Sequence, residues 1–191
     1  MVTNSIVLGS GSPRRKQLLS ELGFQLEIIS LDIDESYPSD LPSIQVASFV
    51  ANKKMEALKK IKTDTEILLT ADTTVVFSNQ LLGKPVDEEN AKEMLHLLSG
   101  QKHIVNTGVV ISFDGKTEVI SCYTEVQFNQ LSPEQIDFYI THFKPFDKAG
   151  SYGIQDWFGL VGIKSINGSY TNVVGLPTDE CYQAIQRLIK V

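Results

Sequence analysis

The chain has 191 residues, 42% of them hydrophobic and 21% charged, with 17 Lys and Arg against 23 Asp and Glu for a formal charge of −6. That is enough ordinary globular sequence for a sizeable core, as one domain or two small lobes. The acidic balance argues against broad binding to nucleic acid or an anionic membrane, and confines any polyanion site to a local basic patch.

Ile6-Val7-Leu8 reads as a short strand leading into Gly9-Ser10-Gly11-Ser12-Pro13-Arg14-Arg15. Ser12 is placed to cap a helix, and Pro13 to fill its first position, where a missing N–H costs nothing. Free amides, the positive end of a helix and two guanidinium groups outline a phosphate site. A glycine turn with a charged helix start is the plainer alternative. Leu18, Leu19 and Leu22 give that helix its apolar stripe, and Gly23 stands where it should end. Phe24 to Leu31 alternates like a strand, followed by the acidic loop Asp32-Ile33-Asp34-Glu35 and by Pro38 and Pro42, which exclude a helix. From Ser43 to about Ile61 a long helix is expected, with Lys53, Lys54, Lys59 and Lys60 on its outer positions.

Ile67 to Leu69 reads as a buried strand ending at Thr70-Ala71-Asp72-Thr73, and Val75 to Phe77 as another. Gly83-Lys84-Pro85 is a rigid turn before a helix over Asp87 to Ser99. Ile104 to Phe113 and Glu118 to Asn129 form a hairpin over Asp114-Gly115. Ser132 and Gln135 mark a capping box for a helix to about Phe143. A loop holding Lys148 to Gln155 follows, then a second hairpin turning at Asn167-Gly168 and a last helix over Thr178 to Lys190. Helices mixed with long antiparallel hairpins indicate an α/β fold with a mixed sheet, not a regular parallel array.

Met1 to Ser5 lacks a signal peptide's charged start and no apolar run reaches transmembrane length, so the cytoplasm is the expected setting. Cys122 and Cys181 have no metal-type spacing and read as reduced packing residues. Gly9-x-Gly11 begins like a dinucleotide fingerprint, but Arg14 stands where its third glycine belongs, which disfavours a dinucleotide-dependent oxidoreductase. Asp72, after an apolar strand, suits holding Mg²⁺ or orienting a water; an Asx-turn with Thr73 or Thr74 is the alternative. Glu35, with Asp32 and Asp34, could complete a metal site or simply be solvated. Lys54 and Lys84 are candidate phosphate contacts. His96, His103 and His142 read as structural, His103 least clearly so.

In order and spacing these pieces resemble the Maf family of nucleoside triphosphate pyrophosphatases. The resemblance rests on Ser10 to Arg15, Glu35, Ala51-Asn52-Lys53-Lys54, Ala71-Asp72-Thr73, Gly83-Lys84-Pro85, Leu98-Ser99-Gly100 with His103, Lys148 to Gln155, and Val174-Gly175-Leu176-Pro177. It implies one Maf-like domain over residues 1–191, with a mixed sheet and two lobes around a central cleft, related to the inosine-triphosphate pyrophosphatases and commonly dimeric. It implies that Asp72 is the general base toward water, assisted by Glu35, and that both hold a divalent cation, Mg²⁺ or alternatively Mn²⁺. Ser10, Ser12, Arg14, Arg15, Lys54 and Lys84 are then implied to line the triphosphate site. Arg14, Thr73 and Gln155 fall on positions linked to base choice. Asp72-Thr73 looks like the branch acting on dTTP and UTP, whereas the 7-methyl-GTP branch tends to have Gln after the Asp. The expected products are the nucleoside monophosphate and pyrophosphate. A nucleotide-binding regulator of septum formation with little turnover is the alternative. Two departures stand out: Thr70 and Asp156 each occupy a position where the family usually has Gly.

Overall fold

The computed structural model describes residues 5–63 and 65–190. The reading of Met1 to Asn4 as lacking a leader lies outside them. Among the described residues no helix is long and apolar enough to cross a membrane.

The elements in chain order are β1 (Ser5–Leu8), α1 (Pro13–Glu21), β2 (Gln25–Ile28), α2 (Val46–Leu58) and β3 (Ile67–Phe77), then β4 (Gln80–Leu82), α3 (Glu88–Leu98), β5 (Lys102–Phe113) and β6 (Lys116–Phe128). α4 (Pro133–Phe143), α5 (Trp157–Val161), β7 (Ile163–Asn167), α6 (Tyr170–Val174) and α7 (Thr178–Ile189) complete the chain. The hydrogen-bonded strand order is β2-β1-β3-β5-β6-β7, with β4 on β3. β1 pairs in parallel with β2 and β3, whereas β3–β4 and β6–β7 are antiparallel. This is the mixed α/β sheet that the hairpins led us to expect.

Three expectations need correction. The two strands expected either side of Asp72 are one eleven-residue strand, β3. Its polar centre stays extended because threonine, being β-branched, suits a pleated backbone, and the Thr70 hydroxyl, fully buried, donates to the Ala51 carbonyl at 2.8 Å. Asp72 is therefore mid-strand, not at a strand end. The turn at Asn167-Gly168 does not join two strands: β7 pairs back onto β6, and the chain passes into α6. Finally, the long helix begins as a 3-10 turn over Ser43–Gln45 before α2. Helix starts were more legible. Ser12 caps α1 with Pro13 at its first position, and Ser132 and Gln135 form the capping box of α4.

The chain divides into two compact units. The first comprises the residues up to Thr73, Thr107–Cys122 and those from Gly175 on. Its core includes Val7, Ala51, Met55, Leu58, Leu68 and Val110. Cys122 and Cys181 are free thiols in this unit, Cys122 half-buried and donating to Glu180 Oε1 at 3.3 Å, Cys181 buried; desolvation pushes Cys122 up to about 12 and Cys181 up as well, which disfavours the reactive thiolate.

The second unit comprises Thr74–Asn106 and Tyr123–Val174. Its core is centred on α3 and α4, with Leu95, Leu98, Phe128, Ile136, Tyr139 and Phe158 buried together. His103 lies in this core, edge-on to Phe128 and sharing a hydrogen bond of 2.8 Å with the Tyr152 hydroxyl. Desolvation pushes its imidazole down to about 4. The unfolded chain then takes up a proton near pH 6.5 that the folded one refuses until about pH 4. Stability from this group is complete above 6.5 and is lost as pH falls toward 4, about 3 kcal/mol in all. His103→Gln should flatten the fall in thermal midpoint between pH 7 and 4.5. An unchanged slope would show that His103 is protonated inside the fold.

Candidate functional site

The loop from Gly9 to Ser12 joins β1 to α1 under tight steric limits. A side chain on Gly9 would meet the Thr70 methyl at 2.8 Å and Leu31 at 3.0 Å, so glycine here answers a close approach. Gly9 N–H donates to the Leu69 carbonyl at 2.8 Å, and Ser12 N–H to Ser10 Oγ at 3.3 Å. Two amides of the expected phosphate cradle are thus already engaged. Ser12 Oγ accepts from Arg15 N–H at 3.5 Å.

The two adjacent arginines separate. Arg14 is half-buried, whereas Arg15 is buried. Arg15 Nε donates to the Gly175 carbonyl at 2.9 Å, Nη1 to Ser10 Oγ at 3.0 Å and Nη2 to Thr73 Oγ1 at 3.0 Å. One side chain on α1 thereby fixes the loop after β1, the middle of β3 and the start of the segment leading to α7. Burial lowers the Arg15 pKa, partly offset by the negative charge of Asp72 and Glu35. Two of its five N–H groups remain beyond these three bonds. Thr73 Oγ1 also lies 3.0 Å from Thr107 Oγ1 and 3.3 Å from the Gly175 carbonyl.

Beside this strut lies a triad of charges. Lys54, buried on α2, places Nζ 2.8 Å from Asp72 Oδ1 and 2.8 Å from Glu35 Oε1. The Asx-turn alternative for Asp72 does not hold, since its carboxylate faces α2. Glu35 is presented by a loop that its neighbours pin down. Asp34 accepts from the Ser36 N–H at 2.9 Å, and Lys53 Nζ donates to the Ser36 carbonyl at 2.9 Å. The hydrogen bonds from Ser36 hold the Asp34 carboxyl below its usual range. Lys53 and Lys54, adjacent on α2, thus secure the acidic loop on either side of Glu35. Sequence spacing had no means of assigning that role to Lys53.

Ser10, Ser12, Arg15, Glu35, Lys54, Asp72 and Thr73 are therefore brought together in the first unit. Lys84 and Gln155 belong to the second. Lys84 is exposed in its turn, and the Gly83 carbonyl accepts from Gly150 N–H at 3.0 Å, tying that turn to the Lys148–Gln155 segment. Gln155 is exposed. Among the described residues no group of three or more His, Cys, Asp or Glu could hold a metal by itself. Two carboxylates do converge on one cation, the Lys54 ammonium. That donor set suits a divalent ion such as Mg²⁺, which takes one or two carboxylates and fills its remaining positions with substrate phosphate oxygens and water.

Comparison with known proteins bears on what this geometry serves. A family model described as Maf-like protein matches residues 5–188. A dTTP/UTP pyrophosphatase of Flavobacterium psychrophilum is 46% identical over 177 residues, covering 93% of this chain and 91% of the relative. Its counterpart in Phocaeicola vulgatus is 45% identical over 184 residues, covering 96% and 95%. That of Porphyromonas gingivalis is 46% identical over 184 residues, covering 95% and 92%. In structure the chain is similar to the Ham1 protein of Staphylococcus aureus, with a TM-score of 0.54 and 13% identity over 96% of this chain and 98% of that one. At that identity the likeness concerns the fold, and it agrees with the expected inosine-triphosphate-pyrophosphatase-like architecture. Matched by the family model across nearly its whole length, and aligned almost end to end with relatives at 45–46% identity, the chain belongs to the Maf family.

Proposed function

We propose that this protein is a nucleoside triphosphate pyrophosphatase that hydrolyses dTTP and UTP to the monophosphate and pyrophosphate. Membership of the Maf family and relatives at 45–46% identity that are dTTP/UTP pyrophosphatases support the substrate. The observation in the structure that carries the chemistry is the Lys54 ammonium held 2.8 Å from both Asp72 and Glu35, beside the Arg15 strut. A pure triphosphate binder gains nothing from two extra carboxylates, whereas a hydrolase needs a base.

In this reading Asp72 orients a water toward the α-phosphorus and takes its proton as the new P–O bond forms. The bond from the α-phosphorus to the bridging oxygen breaks, and pyrophosphate leaves with the electron pair. Lys54, pre-placed beside Asp72, offers positive charge to the phosphates, as do Arg14 and Lys84; Ser10 and Ser12 offer hydroxyls. Thr73 and Gln155 serve base choice. Glu35 and Asp72 would hold the divalent cation, Mg²⁺ or Mn²⁺, which when bound neutralises the triphosphate and polarises the reacting phosphorus. The whole chain acts as one Maf-like domain, in the cytoplasm, as a homodimer with no nucleic-acid or membrane partner.

The test is pyrophosphate release from dTTP, UTP, CTP, GTP, 7-methyl-GTP and ITP, with Mg²⁺ and with EDTA. Metal-dependent release led by dTTP and UTP is the expected result. Preference for 7-methyl-GTP or ITP would keep the chemistry and overturn the substrate. Binding without turnover would leave the regulator as the better reading.

A further inference from the structure

Gly153-Ile154-Gln155-Asp156 is held by polar contacts that the phosphate and carboxylate chemistry does not use. Asp156 N–H donates to the Gly153 carbonyl at 3.2 Å, closing a turn with Ile154 and Gln155 at its centre. Ile154 is buried and Gln155 exposed. The Tyr139 hydroxyl bridges the two ends of this turn: it donates to Asp156 Oδ2 at 2.9 Å and accepts from Gly153 N–H at 3.0 Å. Lys148 Nζ lies 3.5 Å from the same Asp156 oxygen and 2.9 Å from Asp147 Oδ1. Only glycine leaves room for this, because a side chain at 153 would lie 2.5 Å from Asp156 Oδ2 and 2.8 Å from Lys148 Cε.

Tyr139 is itself held by packing. It is fully buried on α4, with its ring stacked at 23° on Phe143 and at 22° on Trp157. Burial beside Asp156 raises its pKa, so the hydroxyl keeps its proton. The turn is thus gripped on both sides of Gln155, at the Gly153 amide and at the Asp156 carboxylate, by one side chain anchored in a packed helix. The carboxylate that completes the grip is Asp156, one of the two residues departing from the family's usual glycine.

We propose that Tyr139, Asp156 and Lys148 form a clamp that positions Gln155 for discrimination among bases, acting as positioning residues and not as catalytic ones. This rests on the reading of Gln155 as a base-side contact. A carboxamide presents a donor and an acceptor, and suits the paired carbonyl and N–H edge of a thymine or uracil. It discriminates only when its backbone is fixed; from a loose turn the ordering cost of binding would consume the gain. The clamp removes that cost before the substrate arrives.

The experiment compares kcat/KM for dTTP and CTP in the wild type, Tyr139→Phe, Asp156→Asn, Gln155→Ala, and Gln155→Ala combined with each clamp substitution. In Tyr139→Phe and Asp156→Asn the preference for dTTP should fall roughly tenfold, mainly through KM, with kcat within about twofold of wild type. The near-UV signal of Trp157, the chain's one tryptophan, should be retained. On the Gln155→Ala background neither substitution should lower the preference further. An unchanged preference in the clamp variants, or a further fall without Gln155, would overturn the clamp. If Gln155→Ala itself leaves the preference intact while dTTP is still hydrolysed, the role of Gln155 falls and the clamp with it, and the pyrophosphatase reading stands. Should Tyr139→Phe lose the Trp157 signal, Asp156→Asn decides, since that side chain is 24% exposed and the change nearly isosteric.

Discussion

Asp72→Asn is expected to lower kcat for dTTP roughly 1000-fold, about 4 kcal/mol of transition-state stabilisation, while KM changes little. The asparagine keeps the size of the side chain and an oxygen to accept from Lys54 Nζ at the position Asp72 Oδ1 now fills. What it removes is the ability to take a proton. Glu35 cannot substitute, because it shares the same ammonium from an exposed loop with half of its side chain open to solvent. The measurement is steady-state pyrophosphate release together with a thermal midpoint. Near-normal turnover in a folded variant would show that the base lies elsewhere. Glu35→Gln, tested alongside, should fall by a smaller factor.

Arg15→Lys should be nearly as severe, and for a different reason. Lysine keeps the charge but not the planar fork that reaches Gly175, Ser10 and Thr73 at once. Their oxygens sit in a buried setting where a lost partner costs more than the bond itself contributes. The expected loss is about 3 kcal/mol of stability, or roughly 10 °C in thermal midpoint, with kcat/KM for dTTP down roughly 100-fold. Arg14→Lys, on the half-buried neighbour, should leave the midpoint nearly unchanged. Equal thermal effects from both substitutions would contradict the strut assigned to Arg15.

The contrast between these neighbours marks how far the sequence could be read. Ser12, Pro13, Ser132 and Gln135 were legible because capping is local: the partner groups lie within one turn. Asp72 and Lys54 were legible as chemistry, though not as a pair, since α2 and β3 meet only through the fold. The division of labour between Arg14 and Arg15 was invisible, being decided by which face of α1 packs inward. β3 was misread as two strands because its central polar residues look like a loop; they are polar on account of the partners they meet, Ala51, Lys54, Arg15 and Thr107. α5 is a single turn without a capping bond from its side chains, too short to leave a periodic signal. Asp156 could be flagged as unusual, but its partner Tyr139 is seventeen residues back on another helix.

The first unit is discontinuous in sequence, and this governs the order in which the protein can be made. It closes only when Gly175 supplies the carbonyl that Arg15 Nε binds and α7 buries Cys181, Ala184, Ile185 and Leu188. A ribosome must therefore finish every residue of the second unit before the first can lock. The nascent chain leaves Arg15 Nε and the Thr73 hydroxyl without their Gly175 acceptor until that residue emerges. Synthesis of Gly175, not emergence of the phosphate loop, is therefore the step that completes the three-way strut of Arg15. A premature stop anywhere before Gly175 yields a product missing the closing piece of the unit that carries Asp72, and such fragments should be cleared by proteolysis.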